Sequence, residues 1–224
     1  PYPPFAAPDA AGNWVGWEID IIDAVCTQAK LDCVITPVAW DGMIPSLTSK
    51  QIDVIMASMS INEERLKTID FSDFYYNEVA VIVADKSMAI EATSDSLKGK
   101  IVGVQASTTH AAYAQKHFAS GSEVKIYQTQ DEANQDLVAG RIDAIQADSI
   151  AMAEFVGGDA GSCCEIKGPV SNDQAIFGPG IGAGVRKGED DLKATLNAAI
   201  AAILADGTHQ AITANYFTAP IYSK

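Results

Sequence analysis

The sequence predicts an α/β protein with two lobes, and two patterns indicate this fold class. Apolar strand patterns alternate with amphipathic helix patterns along the chain, which is typical of mostly parallel sheets flanked by helices. A unit of helix, tight turn and buried strand also occurs twice, with Leu47 five residues before Ile52 and Leu137 five residues before Ile142. Two copies of one unit predict two similar lobes.

Apolar segments at 79–84 and 181–185 flank the second copy of this unit. We therefore expect the chain to cross between the lobes at these two segments. The predicted first lobe comprises residues 1–82 and 183–224, and the predicted second lobe comprises residues 83–182.

The elements of the first lobe follow from the spacing of apolar residues. Ile19, Ile22, Cys26 and Ala29 recur at helical spacing and predict an amphipathic helix. The Gly-rich run 178–185 is followed by neither a helix start nor Lys-Ser/Thr, so we interpret it as a strand rather than a nucleotide-binding loop. The other predicted elements are strands at 14–17, 33–38, 52–56 and 79–84 and helices at 41–47, 192–204 and 209–216.

The second lobe repeats the alternation after Ser94. Its predicted strands are 101–104, 124–127 and 144–147, and its predicted helices are 107–118 and one that ends near Gly140.

The composition of the 224 residues excludes several classes of partner. The formal net charge is −14 and Lys and Arg form no cluster, so we expect neither nucleic acid nor an anionic membrane surface as partner. No apolar run approaches the ~20 residues that span a membrane. The histidines are scattered and no C-x-x-C motif occurs, so we expect no metal site.

The stretch 57–65 is the strongest candidate for binding chemistry in the first lobe. It places Ser58, Met59 and Ser60 after a predicted strand, and Asn62 is suited to cap a short helix that carries Arg65. Arg binds a carboxylate through two charge-assisted hydrogen bonds, so these residues suit an anionic ligand group. The alternative is a surface Arg65 paired with a nearby acidic residue.

Two groups of residues in the second lobe suit the same kind of ligand. Ser107, Thr108 and Thr109 follow a strand and open a helix, where backbone N–H groups attract a carboxylate. Asp148 ends a strand, where open α/β sheets present ligand groups, and it is suited to an ammonium group. The alternatives are ordinary helix capping at both positions. With Arg65, these residues suit both charged ends of a free amino acid.

Aromatic and acidic residues in the first lobe suit the side chain of such a ligand. Tyr2, Trp17 and Trp40 lie at predicted loop or strand ends and favour stacking on an aliphatic or cationic group, although each alone is more often a core residue. Glu18 adds negative charge beside them.

Four cysteines leave two arrangements open. Cys26 and Cys33 are close enough to form a disulfide, which is typical of an oxidising compartment, and the alternative is two buried thiols. Cys163 and Cys164 are adjacent, so they form either a strained vicinal bridge or two free thiols.

Eight motifs spread along nearly the whole chain are informative when they are taken together. They are Tyr2-Pro3-Pro4-Phe5, Val15-Gly16-Trp17-Glu18-Ile19-Asp20, Trp40-Asp41-Gly42-Met43-Ile44-Pro45-Ser46-Leu47, Met59-Ser60-Ile61-Asn62-Glu63-Glu64-Arg65, Phe71-Ser72-Asp73, Ser107-Thr108-Thr109, Gly140-Arg141-Ile142-Asp143-Ala144 and Ala205-Asp206-Gly207-Thr208. In this order, the motifs resemble those of the periplasmic solute-binding proteins for polar amino acids. The similarity is strongest to the lysine/arginine/ornithine- and histidine-binding branch of bacterial family 3.

This resemblance implies a type II periplasmic-binding-protein fold, with two lobes that close on the ligand about two hinge crossings. It also implies a Cys26–Cys33 disulfide. The implied ligand contacts are Arg65 for the carboxylate, Ser107, Thr108 and Thr109 at a helix start, Asp148 for the ammonium group, Ser58, Met59 and Ser60 through backbone or hydroxyl groups, Tyr2 and Trp40 for stacking, and Glu18 for a cationic side chain. Ser107 stands where the family usually has Gly, and the family's first strand would precede Pro1.

The function that the resemblance implies is that of a periplasmic binding component of an ABC importer. Its ligand would be a basic amino acid or a derivative such as an opine, its partner a membrane permease, and the protein would be a monomer without cofactor or catalytic residues. One alternative is an enzyme of the cyclohexadienyl (arogenate/prephenate) dehydratase type, which needs a buried acid near the second crossing. The other is the ligand-binding domain of a receptor.

Overall fold

The computed structural model describes residues 1–223, and the chain forms two compact units. Unit 1 contains Pro1–Asn77 and Phe177–Lys224, and unit 2 contains Glu78–Ile176. The expected boundaries, after residues 82 and 182, lie inside two strands. The structure places both boundaries before these strands, because each strand pairs with the sheet of one unit along its whole length.

Nine strands and nine α-helices lie along the described chain, residues 1–223. The strands are β1 (Ala7–Pro8), β2 (Trp14–Val15), β3 (Ile69–Tyr76), β4 (Ala80–Asp85), β5 (Ile101–Gln105), β6 (Glu123–Tyr127), β7 (Ala144–Asp148), β8 (Cys164–Pro169) and β9 (Ile181–Arg186). The helices are α1 (Trp17–Ala29), α2 (Met43–Thr48), α3 (Glu63–Leu66), α4 (Thr109–His117), α5 (Gln130–Val138), α6 (Ser149–Gly157), α7 (Gln174–Phe177), α8 (Asp190–Ala205) and α9 (Thr208–Ala214). Short 3₁₀ helices occupy Trp40–Gly42 and Asp159–Gly161.

An aromatic core holds the N-terminal part of unit 1 against its C-terminal helices. Trp17 is completely buried, and its ring lies edge-on to Tyr76 with 5.0 Å between ring centroids. Its indole Nε1 donates to Thr213 Oγ1 of α9 at 3.0 Å. Because a buried indole N–H needs an acceptor, this bond fixes α9 in register with α1. The structure therefore makes Trp17 a core residue.

Two strands predicted for unit 1 are not formed. Residues 33–38 have no regular structure, and the side chain of Val34 is 83% exposed. Within the predicted strand 52–56, Ile55 makes one isolated bridge to Gly184. A strand requires a neighbour that accepts and donates its backbone hydrogen bonds, and the described residues 1–223 supply no continuous partner to either segment. The apolar pattern of these two segments is compatible with extended backbone, but it contains no information about a neighbouring strand.

The Cys26–Cys33 disulfide is confirmed. Its S–S distance is 2.00 Å, and it connects the last turn of α1 to the irregular segment that follows. Cys163 and Cys164 are free thiols whose sulfur atoms lie 2.9 Å apart.

Unit 2 is built on a five-stranded mixed sheet with the order β6-β5-β7-β4-β8. β5 is parallel to β6 and to β7, whereas β4 is antiparallel to both of its neighbours, β7 and β8. The predicted α/β fold class is thus confirmed, although the sheet has fewer parallel pairings than expected. The strands β1, β3 and β8 were not predicted. β7 lies at the centre of the sheet, so its carboxyl end carries Asp148 at the middle of one edge.

Seven helices, α1–α5, α8 and α9, lie on predicted helical segments, whereas α7 was not predicted and α6 was implied only by the capping alternative for Asp148. Asn62, Thr108 and Thr129 each accept a hydrogen bond from the first turn of the helix that follows, as N-cap residues do. Within residues 1–223, no helix has both the length and the apolar character needed to cross a membrane.

Candidate functional site

Two turns with strained backbone carry predicted binding residues, one turn in each unit. Ser58 has φ 53° and Ser107 has φ 59°. Residues other than glycine rarely adopt such values, and they cost of order 1 kcal/mol or more where surrounding contacts enforce them. The position of Ser107, where the family usually has Gly, is therefore one that a glycine would occupy without strain.

The turn of Ser58 is held by a buried carboxylate. Ser58 donates its backbone N–H to Glu18 Oε1 at 2.8 Å and its hydroxyl to Glu18 Oε2 at 3.1 Å. Tyr75 also donates its hydroxyl to Glu18. Burial, followed by the charge of Glu18, raises the pKa of Tyr75 well above its usual value, so the phenol remains protonated and can donate.

These contacts make Glu18 a positioning residue within unit 1. Its side chain accepts hydrogen bonds from protein groups, and the residue is 1% exposed. The expectation that Glu18 contacts a cationic ligand group directly stays a prediction.

Arg65 is held from three sides. Asn62 Oδ1 accepts the backbone N–H of Arg65 at 2.9 Å, and the guanidinium Nη1 donates to the carbonyl oxygen of Ser60 at 2.8 Å. The guanidinium carbon lies 5.5 Å from the centroid of the Trp40 ring. Arg65 is only 9% exposed, so it differs from the surface arginine of the alternative interpretation. A guanidinium fixed in this way suits a planar carboxylate.

The remaining predicted residues of unit 1 lie in different environments. Tyr2 stacks on Phe5 with 5.9 Å between ring centroids. Met59 is 2% exposed, and its side chain belongs to an apolar cluster with Leu47 and Ile69. The side chain of Met59 therefore serves the core, and only its backbone remains a candidate for a ligand contact.

The first turn of α4 forms the candidate anion site of unit 2. Thr108 is its N-cap: Oγ1 accepts the N–H of Ala111 at 3.0 Å and donates to the carbonyl oxygen of Gln105 at 2.7 Å. Thr109 follows at the first helical position and is buried. The amino end of a helix carries partial positive charge, so this turn favours a carboxylate.

Asp148 ends β7 and precedes α6. Its Oδ1 lies 3.1 Å from His110 Nε2 on α4. Within residues 1–223, the Asp148 side chain makes no capping hydrogen bond to α6, contrary to the capping alternative. The pairing of Asp148 with His110 joins the carboxylate to the same helix that carries Thr108 and Thr109.

One functional candidate was missed by sequence reasoning. Glu78 precedes β4, and its Oε1 accepts the hydroxyl of Ser149 at 2.6 Å and the N–H of Ile150 at 3.2 Å. Burial, and then the nearby charge of Asp148, raises the pKa of Glu78 to about 8. Only the antiparallel pairing of β4 with β7 brings these residues together. An acid directly before an apolar strand was the one local signal.

Thr108→Ala is expected to lower the stability of unit 2 by about 1 kcal/mol, because the N–H of Ala111 loses its acceptor. For a chain of this size we expect Tm to fall by about 2–4 °C. Thermal unfolding measures the shift. The exposed Thr27 of α1 provides the matched control, since Thr27→Ala removes no cap. Equal shifts in the two variants would contradict the capping role.

The comparison with known sequences gives a family match and close relatives. A family model described as bacterial extracellular solute-binding proteins, family 3, matches residues 1–219. The chain is 39% identical to the L-arginine-binding protein of Pseudomonas aeruginosa, over 99% of this chain and 86% of that protein. It is 38% identical to the lysine/arginine/ornithine-binding periplasmic protein of Escherichia coli K12, with the same coverage.

Solved structures similar to this chain also include amino acid-binding proteins. An ancestral arginine-binding protein bound to arginine has a TM-score of 0.89 and 34% identity, over 96% of this chain and 94% of that one. An ancestral amino acid-binding protein, described as a precursor of cyclohexadienyl dehydratase, has a TM-score of 0.85 and 27% identity, over 97% and 92% of the two chains. This chain is thus similar to binding proteins for amino acids and to one precursor of an enzyme.

Proposed function

We propose a function for this chain from its family: it belongs to the bacterial extracellular solute-binding proteins, family 3. In this proposal, the protein binds a basic amino acid in the periplasm and delivers it to an ABC importer. The names of the relatives support arginine, lysine and ornithine as ligands. The observation that carries the proposal is the buried Arg65, whose guanidinium is held by Ser60 and Trp40 in a geometry that suits a carboxylate.

The proposed contacts divide one amino acid among charged groups of both units. Arg65 and the first turn of α4, with Ser107, Thr108 and Thr109, would bind the α-carboxylate. Asp148 would bind the α-ammonium group. Tyr2 and Trp40 would lie against the ligand side chain, while Ser58, Met59 and Ser60 would add backbone or hydroxyl contacts. The net charge of −14 is favourable for a cationic ligand, and an opine with a basic side chain has the same groups.

The proposed mechanism is closure of the two units on the ligand, followed by docking of the monomer to a membrane permease. The relatives include a periplasmic protein, which supports an extracytoplasmic location. The Cys26–Cys33 disulfide supports the same location, because disulfides persist in oxidising compartments.

Binding without catalysis is part of this proposal. A dehydratase of the cyclohexadienyl type must protonate a departing hydroxyl group, and the acid would lie near the second crossing. The last carboxyl group before the boundary of the units at Phe177 is that of Asp173, which binds Lys116 and His117. These bonds lower the pKa of Asp173 to about 2, so it is ionised at neutral pH and poorly suited to donate a proton. Glu78 does retain a proton near neutral pH, so the test below includes turnover.

A thermal-shift screen tests the proposal. The compounds are the common amino acids, ornithine, citrulline, opines, prephenate and arogenate. A ligand at a hundredfold excess over its Kd stabilises the folded state by about 2.7 kcal/mol, which corresponds to a rise in Tm of about 5–10 °C. We expect this rise with arginine, lysine, ornithine, histidine or an opine.

Two outcomes would overturn the proposal. Shifts only with neutral or acidic amino acids would overturn the basic ligand. Shifts only with prephenate or arogenate, together with formation of the dehydrated product, would overturn the binding role.

A further inference from the structure

A polar cluster lies where β7 ends and β4 begins in unit 2. The antiparallel register pairs Ala80 with Asp148 and Ile82 with Gln146. Side chains two residues apart on a strand share a face, and directly paired residues point to the same face. Gln146 and Asp148 therefore share one face of the sheet. Glu78 precedes this register by two residues and is bonded to the residues that follow Asp148.

Three buried side-chain atoms of the cluster, one of Glu78 and two of Gln146, make no hydrogen bond within residues 1–223. Glu78 Oε1 is occupied by Ser149 and Ile150, but the buried Oε2 makes no hydrogen bond with any residue of the described chain. Gln146 is completely buried, and neither its Oε1 nor its Nε2 has a partner within residues 1–223. Buried polar atoms are nearly always paired in folded proteins. The cluster is therefore suited to receive a further polar group beside Asp148.

The charges at the cluster explain why one of its acids is neutral. Glu78 faces Asp148 from the start of β4, and His110 faces Asp148 from α4. Two carboxylates that are close together and partly desolvated do not ionise equally, because each disfavours the charge of the other. Burial, and after it the charge of Asp148, raises the pKa of Glu78 to about 8, so Glu78 holds a proton at pH 7.

We propose that Glu78 is a second acid of the ammonium site: it is neutral in the free protein, and it ionises when a ligand ammonium group binds beside Asp148. The proton leaves Glu78 for the solvent, and the charge that remains is balanced by the ammonium group. This inference rests on the proposed function, and it adds proton release as a property of ligand binding. It also makes Glu78 a second acid for the ligand ammonium group, for which the sequence had indicated only Asp148.

The binding of the ligand and the release of the proton are linked, and this linkage determines whether the affinity rises or falls with pH. Because the ligand favours the ionised form of Glu78, the affinity rises with pH while the free protein is protonated at this residue. The affinity is expected to increase about tenfold per pH unit between pH 6 and pH 7 and to level off above pH 8, given the pKa of about 8. Close to one proton is released per ligand bound at pH 7.

Calorimetric titration of the whole chain with arginine, in phosphate and in imidazole buffers at pH 7, measures the proton release directly. The wild type is expected to release about one proton, whereas E78Q is expected to release none and to lose the rise in affinity between pH 6 and pH 8. H110Q is expected to retain the release, which separates Glu78 from the histidine. Glu154, an exposed acid on α6, provides the matched control E154Q.

A second measurement needs no ligand. In ¹³C NMR of protein labelled at glutamate side-chain carboxyl groups, one signal is expected to titrate with a midpoint near pH 8 and to be absent from E78Q. Normal titration of every glutamate would overturn the inference even if arginine binds. Release that is retained in E78Q and lost in H110Q would also overturn it. If E78Q does not fold, the release and the NMR midpoint in H110Q decide. If none of the basic amino acids binds, the proposed function itself is contradicted. The NMR titration still tests the protonation of Glu78 in that case, because it needs no ligand.

Discussion

Arg65→Ala is expected to lower the affinity for arginine at least about a hundredfold, to the point where calorimetry detects no binding. The substitution leaves the ligand carboxylate without its charged partner, and truncating one member of a buried hydrogen-bonded ion pair costs several kcal/mol. Arg65→Lys retains the charge but loses the planar fork, so we expect it to recover only part of the affinity.

The control for this experiment is Arg141→Ala. Arg141 is exposed and pairs with Asp136 in unit 2, so its loss is expected to leave the affinity unchanged. Circular dichroism of both variants checks that the chain remains folded. Normal arginine binding by Arg65→Ala would remove Arg65 from the ligand site.

Glu18→Gln is expected to have the second-largest effect, because it changes both stability and binding. The carboxylate accepts bonds from the backbone and hydroxyl of Ser58 and from Tyr75, whereas a Gln side chain offers one acceptor and brings an N–H group against these donors. Buried donors left unpaired cost about 1–3 kcal/mol each. A loss of about 3 kcal/mol corresponds to a fall in Tm of about 6–12 °C.

Binding data for Glu18→Gln distinguish positioning from direct contact. If Glu18 only holds the turn of Ser58, the affinities for arginine and for the neutral analogue citrulline fall by the same factor. If Glu18 binds the cationic group, arginine loses far more affinity than citrulline. Asp23→Asn, at an exposed position of the same helix, is the matched control and should change neither quantity. A stable Glu18→Gln variant would contradict the positioning role.

Local features of the fold were predictable from sequence because their causes are local. The helix that begins after Asn62 and the helix that begins after Thr108 each depend on one N-cap side chain that accepts a hydrogen bond from the first turn. The position of Arg65 in that first helix follows from the same few residues. Predictions of this kind need no knowledge of the rest of the chain.

Pairing across the chain was not predictable in the same way. The segment 33–38 has the apolar pattern of a strand, but a strand also needs a neighbour, and this need is invisible in the pattern. Glu18 shows the same limit at the site. Its carboxylate accepts hydrogen bonds from Ser58 and Tyr75, which lie far along the chain, so the sequence around Trp17 could not predict these bonds. Glu78 required the register of β4 with β7.

The division of the chain into one interrupted unit and one continuous unit has a consequence for the order of synthesis. Phe71 of β3 pairs with Gly184 of β9, so a ribosome completes all of unit 2 before it supplies the strand that unit 1 needs. Contacts between distant segments form slowly, whereas a continuous segment can fold as it emerges. Residues 1–77 must therefore wait as nascent chain until the C-terminal segments arrive, with apolar stretches such as the one around Ile69, which is completely buried in the folded protein, accessible to chaperones.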